Sequence, residues 1–194
     1  MTHHFFVRLC FCLLLCCGVL SAACQAATDY ITERAYFVDP TASLSFEQVR
    51  QHYFIPYENP LKNGYQSGVS WVKLRLAPAP QTGEPLILRI GLPNYLDEVA
   101  LFDPGPASSA GSPQAITPQY TGDHHPFDSS GYRNINLGFA IPASDQPREL
   151  YLRIKTTTVH YLDAGVYSLR ETEIMDLQQV LGSMLSVCFL VVVL

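Results

Sequence analysis

Short segments in which apolar and polar residues alternate strictly are the feature that most constrains the fold. The segment VSWVKLRL (69–76) sends its side chains to two faces, with Val72, Leu74 and Leu76 on one and Trp71, Lys73 and Arg75 on the other. The segment ELYLRIK (149–155) repeats the pattern, with Leu150, Leu152 and Ile154 inward and Tyr151, Arg153 and Lys155 outward. Period-two alternation is typical of strands with one buried face, so these segments predict a β-sheet.

Five other segments predict further strands, separated by residues that favour turns: 34–38, 85–92, 95–103, 133–141 and 159–169, the last with a bulge at Gly165. Between the two apolar ends of the chain, the one clear helical signature lies at 45–53, where Ser45 and Gln48 form a capping box. Many short strands without the helices that connect parallel strands predict an all-β fold, a jelly-roll β-sandwich.

The first apolar end is a run of 12 residues, LCFCLLLCCGVL (9–20), which follows Arg8 and precedes small residues. This length suits the core of a signal peptide and is too short to cross a bilayer. We therefore expect a signal peptide at 1–26, cleaved after Ala26. Lipidation at Cys24 is an alternative, although Ser21 stands where a lipoprotein signal normally has Leu.

The second apolar end, from Val180 to Leu194, stops after 15 residues, whereas a spanning helix needs about 20. We interpret residues 171–194 as the start of a first transmembrane helix that is incomplete, which leaves 27–170 as one exported sandwich domain. The carboxylates of Glu171, Glu173 and Asp176 fall in the first turns of this helix, where they interact favourably with the helix dipole.

Charge and cysteine content exclude several functions. Without the signal peptide the chain has 11 Lys and Arg against 17 Asp and Glu, a balance that disfavours nucleic acid as a partner. All six cysteines lie outside residues 27–170, so the exported domain can form neither a disulfide nor a thiolate metal site.

Four segments follow one another in the order SWVKLRL, LILRIGLPNYLDEVALFDP, YRNINLGFAIP and ELYLRIKTT, and run with almost no linker into the apolar helix. Over residues 34–194 this order resembles the type 2 extracellular domain of bacterial seven-transmembrane receptors with diverse intracellular signalling modules. The resemblance implies a jelly-roll sensor similar to carbohydrate-binding modules, seven membrane helices, and a cytoplasmic output such as a diguanylate cyclase or a histidine kinase. It implies no particular catalytic residue or ligand.

The outward residues of the two alternating strands form the candidate ligand site: Trp71, Arg75, Tyr151 and Arg153, joined by His160 near the start of the last strand. An aromatic ring can cover the apolar face of a sugar, and a guanidinium can bind a carboxylate through two hydrogen bonds. The alternative is that a loop or the short helix covers Trp71 and that the cations pair with nearby carboxylates, because a lone Trp in a sandwich is usually packed.

Other kinds of chemistry have little support. The loop GDHHPFD (122–128) contains Asp123, His124, His125 and Asp128, but adjacent histidines in a Pro-bounded loop converge poorly on a metal, so we expect a surface loop. The sequence has no G-x-S-x-G, phosphate-loop or H-E-x-x-H motif. We therefore expect no enzyme, no catalytic residue, no metal and no cofactor.

Together these features favour a periplasmic ligand-sensing domain of an inner-membrane signalling receptor. Its expected partners are a saccharide or small carboxylated metabolite and the lipid bilayer, and the sequence leaves a homodimer open. A membrane-tethered carbohydrate-binding or adhesion module is the alternative, and a cell-envelope hydrolase is a distant third. Further apolar segments after Leu194 would support the receptor, and a stop codon soon after one helix would support the tether.

A first prediction concerns orientation. If a signal peptide exports the domain, the final helix enters the membrane from outside, so reporters fused at Asp145 and beyond Leu194 should lie in opposite compartments. Alkaline phosphatase should be active only at the first position, and a cytoplasmic fluorescent reporter only at the second. Phosphatase activity at both positions would contradict a spanning helix.

Overall fold

The computed structural model describes residues 27–91, 95–106, 116–126 and 129–193. The expected signal peptide, the lipidation alternative at Cys24 and the loop residue Asp128 lie outside these ranges. The described elements in chain order are β1 (Ile31–Asp39), α1 (Phe46–Val49), β2 (Ile55–Pro56), β3 (Leu61–Tyr65), β4 (Val69–Leu76), β5 (Leu86–Ile90), β6 (Glu98–Phe102), β7 (Gln119–Thr121), β8 (Leu137–Ile141), β9 (Arg148–Lys155), β10 (Val159–Leu162), β11 (Ala164–Ser168) and α2 (Leu169–Val193).

The strands form two packed layers. One layer is a six-stranded sheet in the order β2-β1-β4-β9-β6-β7, and the other contains the sheet β11-β5-β8 and the pair β10-β3. The pairings are antiparallel, and from β4 onward the chain passes repeatedly from one layer to the other, as in a jelly roll. The expected all-β sandwich is confirmed.

The main core lies between the layers and follows the predicted alternation. Its fully buried side chains come from the inward positions of both layers and include Val72, Leu74, Leu88, Phe139, Leu150 and Leu152. Burying an aliphatic or aromatic side chain of this size stabilises a fold by about 1.5–3 kcal/mol. The two alternating segments of the sequence therefore supply much of the free energy that holds the layers together.

Strands β4 and β9 are direct neighbours, as their matching patterns suggest. Their register places Trp71 opposite Arg153, Lys73 opposite Tyr151, and Arg75 opposite Glu149. We call the face that carries these residues the outer face of the six-stranded sheet, because it points away from the second layer.

Part of the outer face is covered by a second, aromatic core. The helix α1 and Phe54 lie over the centre of β4 and β9, and the buried members of this core are Phe46, Val49, Phe54, Val69, Trp71 and Tyr151. The Phe46 and Phe102 rings stack with centroids 4.8 Å apart, and Trp71 meets Phe102 at 5.4 Å. Trp71 is therefore packed on the face opposite Leu74. It is not open to a ligand, as the candidate site required, but is covered by the short helix, as the alternative proposed.

The short helix begins as predicted and ends early. The Ser45 and Gln48 side chains form the predicted capping box, in which the Ser45 backbone N–H donates to Gln48 Oε1 at 2.8 Å. The helix stops at Val49 because the chain must turn back, so that Phe54 enters the aromatic core and β2 pairs with β1. The β2 and β3 strands that follow were not predicted, since their sequences do not alternate.

The segment 159–169 forms two strands, β10 and β11, rather than one strand with a bulge at Gly165. The register of β11 against β5 is regular through Gly165, so the predicted bulge is wrong. A Cβ at this position would overlap the ring of Tyr167, which explains the glycine by close packing. The break falls at Asp163, which accepts a hydrogen bond from the Asn59 side chain at 2.6 Å.

The final helix α2 follows β11 without a linker. The Ser168 hydroxyl accepts from the Glu171 backbone N–H at 3.2 Å, and the Glu171 carboxylate accepts from the Ser168 backbone N–H at 3.1 Å, which completes a capping box. The stretch Leu169–Val191 is long and apolar enough to cross a membrane. Its first turns pack on the sandwich, and its side chains from Val180 to Val191 are almost all exposed.

A second prediction tests the aromatic core. Replacing Trp71 with Ala should lower the free energy of unfolding by about 3–5 kcal/mol, because the ring is 1% exposed and its removal leaves a cavity. Tyr53→Ala, next to the same core but 80% exposed, is the matched control and should change stability little. Urea unfolding of residues 27–194 in detergent measures both, and equal small effects would contradict the packing.

Candidate functional site

The structure brings four of the five residues that the sequence proposed as a ligand site together on the outer face, with Trp71 directly opposite Arg153, and places His160 elsewhere. Trp71 and Tyr151 are 1% and 3% exposed beneath α1 and Phe54. The Arg153 Nη1 atom donates to Glu98 Oε1 at 2.7 Å, in a partly exposed ion pair. Of the four outer-face candidates, Arg75 is the most accessible, with half of its side chain in solvent.

The covered tyrosine also has its polar atom occupied. The Tyr151 hydroxyl donates to Glu149 Oε2 at 2.7 Å. Burial, reinforced by this hydrogen bond to a carboxylate, raises the pKa of Tyr151 well above its ordinary value. Neither Tyr151 nor Trp71 offers a ring face on which a sugar could stack.

His160 belongs to a separate buried cluster between the layers. Its Nδ1 atom lies 2.7 Å from the Ser70 hydroxyl, which also accepts from the Asn63 side chain at 3.4 Å. Burial lowers the pKa of His160, and the backbone of Thr156 opposes this in part. Because Ser70 and His160 are 0% and 1% exposed, no substrate reaches this hydroxyl–imidazole pair.

A cavity of about 480 Å³ opens at the sheet edge beside β2, and we call it the basic cavity. It is lined by Glu33, Arg34, Ala35, Phe54, Pro56, Tyr57, Lys73 and Arg75. Three of these side chains are cationic and one is anionic. Each of the three cations has a carboxylate partner: Arg75 pairs with Glu33 at 3.2 Å, Lys73 lies 3.8 Å from Glu149, and Arg34 pairs with Asp29.

Two residues that line the basic cavity each have one unsatisfied polar atom, which is itself buried. The Arg34 Nε and the Tyr57 hydroxyl are buried and have no hydrogen-bond partner within the described ranges. Burial raises the pKa of Tyr57 to about 12, so its hydroxyl keeps its proton at neutral pH. An unsatisfied buried polar group costs about 1–3 kcal/mol. Neither atom has accessible surface, so a ligand reaches it only if the cavity wall moves.

The sequence missed Arg34 and Tyr57 because neither lies on an alternating segment. Arg34 is held at its end by Asp29, and its Nη2 also reaches the Ala164 carbonyl at 3.3 Å. The signal that could have found it is an arginine in the segment RAYFV (34–38), whose other residues are apolar or aromatic, since such a cation needs partners when it is partly buried.

The helix α2 is attached to the sandwich through a polar group that we call the junction network, formed by Arg89, Tyr132, Asn136, Asp176 and Gln179. Arg89 Nε donates to Asp176 Oδ1 at 2.9 Å, and its Nη2 donates to Gln179 Oε1 at 2.7 Å. Asn136 Nδ2 donates to the same carboxylate oxygen at 2.7 Å, and the Tyr132 hydroxyl donates to Asp176 Oδ2.

Three members of the junction network, Tyr132, Asn136 and Asp176, are buried. Asp176 is 4% exposed and accepts from three different side chains, so its charge is fully compensated. Burial and the hydrogen bond to Asp176 raise the pKa of Tyr132 far above its ordinary value, which keeps the hydroxyl a donor. The sequence assigned Asp176 to the helix dipole and missed this role.

The loop with adjacent histidines borders the network. His124 is exposed and His125 is partly buried, with its ring stacked on Tyr120 at 5.0 Å. Among the residues that the structure describes, no group of three His, Cys, Asp or Glu side chains is arranged to hold a metal ion.

An all-β sandwich joined directly to a helix that is long and apolar enough to span a membrane is the arrangement of a membrane protein with a domain outside the bilayer. The family model described as 7TMR-DISM extracellular 2 matches residues 32–167, and the chain therefore belongs to this family. The chain carries the extracellular sensing domain of a membrane receptor. No curated protein matches it.

A third prediction concerns the buried histidine. Because the pKa of folded His160 is lowered, the unfolded chain binds more protons at acidic pH, and stability falls as the pH drops below about 6.5. His160→Gln should reduce this loss between pH 7.5 and 5.5, measured by urea unfolding. His124→Gln is the exposed control and should retain the wild-type dependence; an unchanged slope in His160→Gln would contradict the assignment.

Proposed function

We propose that residues 27–170 form the periplasmic ligand-sensing domain of an inner-membrane signalling receptor. In this proposal α2 is the first helix of a membrane bundle that passes the signal to a cytoplasmic output, a diguanylate cyclase or a histidine kinase. The observation that carries the proposal is the junction network, in which a buried carboxylate of α2 binds three side chains of the sandwich.

The junction network favours a sensor over a passive tether. A tether needs only a covalent connection, whereas burying an ion pair such as Arg89 and Asp176 carries a large desolvation cost. Directional hydrogen bonds fix the rotation and tilt of α2 on the sandwich, which apolar contacts alone would leave freer. A receptor needs this defined geometry because the helix position is what the ligand must change.

For the ligand we propose a small carboxylated metabolite that binds in the basic cavity. Arg75 and Lys73 present positive charge there, and their ion pairs with Glu33 and Glu149 are partly exposed and weak enough for a ligand carboxylate to replace. Guanidinium groups bind carboxylates strongly and with defined geometry. A saccharide is less well supported at this face, because Trp71 and Tyr151 are covered.

A chain of contacts leads from the basic cavity to α2. Arg34 binds Asp29, and Asp29 Oδ1 accepts from the backbone N–H of Val166 in β11 at 3.0 Å. The neighbouring Thr28 backbone N–H donates to Glu171 Oε1 of α2 at 3.0 Å. A ligand that draws Arg34 toward itself would therefore act on both β11 and the first turn of the helix.

The fourth prediction tests binding. Residues 27–194 in lipid nanodiscs are titrated by calorimetry with succinate, citrate and L-glutamate, and with glucose as a neutral comparison. At least one carboxylate should bind. The double variant Lys73→Gln with Arg75→Gln should lower the affinity for that carboxylate at least tenfold, because charged hydrogen bonds are lost. Lys62→Gln, an exposed cation outside the cavity, is the matched control.

The same preparation tests signalling. Cys188 is the one cysteine within 27–194, so a spin label on it reports on α2 without other substitutions. The bound carboxylate should change the label's spectrum in the wild type and in the control variant Glu173→Gln, which alters an exposed carboxylate of α2. The change should be smaller in Asp176→Asn, because the charge that binds Arg89 is removed. Binding without any spectral change would favour the tethered module, and binding that survives the double variant would place the ligand elsewhere.

A further inference from the structure

We infer that the sandwich itself rests on the surface of the phospholipid bilayer, and that the segment just before β8 makes the contact. This segment consists of Arg133, Asn134 and Ile135, and we call it the bilayer segment. Ile135 lies at the boundary between headgroups and acyl chains, and Arg133 lies at the level of the lipid phosphates. The inference rests on the proposed function in one respect, because it requires α2 to cross the membrane.

The sequence of α2 limits where the bilayer begins. The run from Val180 to Leu194 carries no charge, and all the charged residues of the helix precede it: Arg170, Glu171, Glu173 and Asp176. A charged side chain in the hydrocarbon is costly, so the hydrocarbon begins close to Val180. The headgroup region on each side is roughly 5–7 Å thick, which corresponds to about four residues of helix. It therefore surrounds 176–179, the part of α2 that the junction network binds.

Hydrogen bonds place the bilayer segment near the same depth. The Gln179 Oε1 atom accepts from Asn136 Nδ2 at 3.1 Å and from Arg89 Nη2 at 2.7 Å, and both bonds run from the sandwich to the helix. Ile135 precedes Asn136 in the chain, and consecutive Cα atoms are about 3.8 Å apart. The bilayer segment therefore lies beside the residues of α2 that the headgroups surround.

The direction of α2 agrees with this placement. The chain reverses after β11, because Asp176 contacts Arg89, which pairs with Gly165 near the start of that strand. The helix thus runs toward the end of the sheet at which β5 finishes and β8 begins, where Ile90 pairs with Leu137. The bilayer segment lies just beyond this end, on the side from which α2 enters the membrane.

The exposed side chains of the bilayer segment suit a lipid surface. Ile135 is 46% exposed, and in the part of the sandwich that the structure describes Ile55 is the one other Val, Leu or Ile that is comparably exposed. Arg133 is exposed as well, and a guanidinium binds phosphate while its aliphatic stem lies along apolar groups. On α2 itself, Ile174 and Leu177 are exposed, so apolar surroundings are expected already in these turns.

Contact with lipid comes from apolar burial more than from charge. Asp123 lines the same cavity as Asn134, and Asp163 accepts from the Gly91 backbone N–H at the end of β5. These carboxylates oppose the charge of Arg133 and disfavour a strongly anionic membrane surface. A neutral phospholipid such as phosphatidylcholine therefore fits this end of the sandwich.

A sandwich that rests on the bilayer limits how α2 moves. Asn136 binds Asp176 and Gln179 and is the neighbour of Ile135, so the lipid holds the same piece of chain that holds the helix. Sliding α2 by one turn, about 5.4 Å, would carry Ile135 out of the lipid boundary or deeper into it. Rotation and tilt of the helix preserve the lipid contact.

Methyl NMR tests the contact in the wild-type chain. Residues 27–194 with ¹³C-labelled isoleucine methyl groups are placed in phosphatidylcholine nanodiscs that contain a lipid with a paramagnetic headgroup. The Ile135 signal should broaden severalfold more than that of Ile55, the matched control, which is 49% exposed on the edge strand β2. Ile135→Val and Ile55→Val assign the two signals.

Spin labels measure the depth directly. In a Cys188→Ser chain, labels are attached at Ile135→Cys and at Ile55→Cys, and the label on wild-type Cys188 is the reference for the hydrocarbon. The label at Ile135 should collide severalfold less often with a water-soluble nickel chelate than the label at Ile55, because headgroups exclude the chelate. Urea unfolding that matches the wild type shows that each variant folds.

Two results would overturn the inference alone. One is equal exposure of Ile135 and Ile55 to the chelate, with equal broadening, while the Cys188 label lies in the hydrocarbon. The other is protection of Ile135 from the chelate without broadening by the headgroup label, which would assign the contact to a second copy of the chain. A Cys188 label that the chelate reaches would contradict the proposed function as well, because α2 would not cross the membrane.

Discussion

The antiparallel pairing of β4 with β9 is the contact on which the rest of the structure depends. These strands lie at the centre of the six-stranded sheet, and their register assigns each side chain to the main core or to the outer face. Leucines on one face hold the second layer, and aromatic residues on the other hold α1 and Phe54. A slip of one residue would exchange the faces and remove both cores at once.

The sequence alone predicts the strands and their two faces well, because alternation is a local property. It does not predict which part of the outer face is covered. Trp71 and Arg75 have the same parity on the same strand, yet one is packed and the other half exposed, since the cover comes from α1 and Phe54, which the alternation of β4 says nothing about. Whether Trp71 is exposed to a ligand or packed in a core therefore depends on the tertiary structure.

The junction network shows the same limit for charged residues. Asp176 is a carboxylate near the start of a helix, where it interacts favourably with the helix dipole whatever the helix packs against. Its partners Arg89, Tyr132 and Asn136 are 87, 44 and 40 residues away in the chain. Residues this far apart show no periodic pattern in the sequence, so the most specific contact between sandwich and helix can be recognised only from the folded structure.

The absence of a linker between β11 and α2 fixes the rotation of the helix about its own axis relative to the sandwich. Ser168 is both the last residue of the strand and the cap of the helix, so the direction of one determines the rotation of the other. Each residue of an α-helix turns the side chains by about 100° and advances them by ~1.5 Å. One residue added or lost at this point would turn the exposed part of α2 by that angle relative to the sandwich, so the length of the chain between Ser168 and Asp176 determines which side of the helix faces which way.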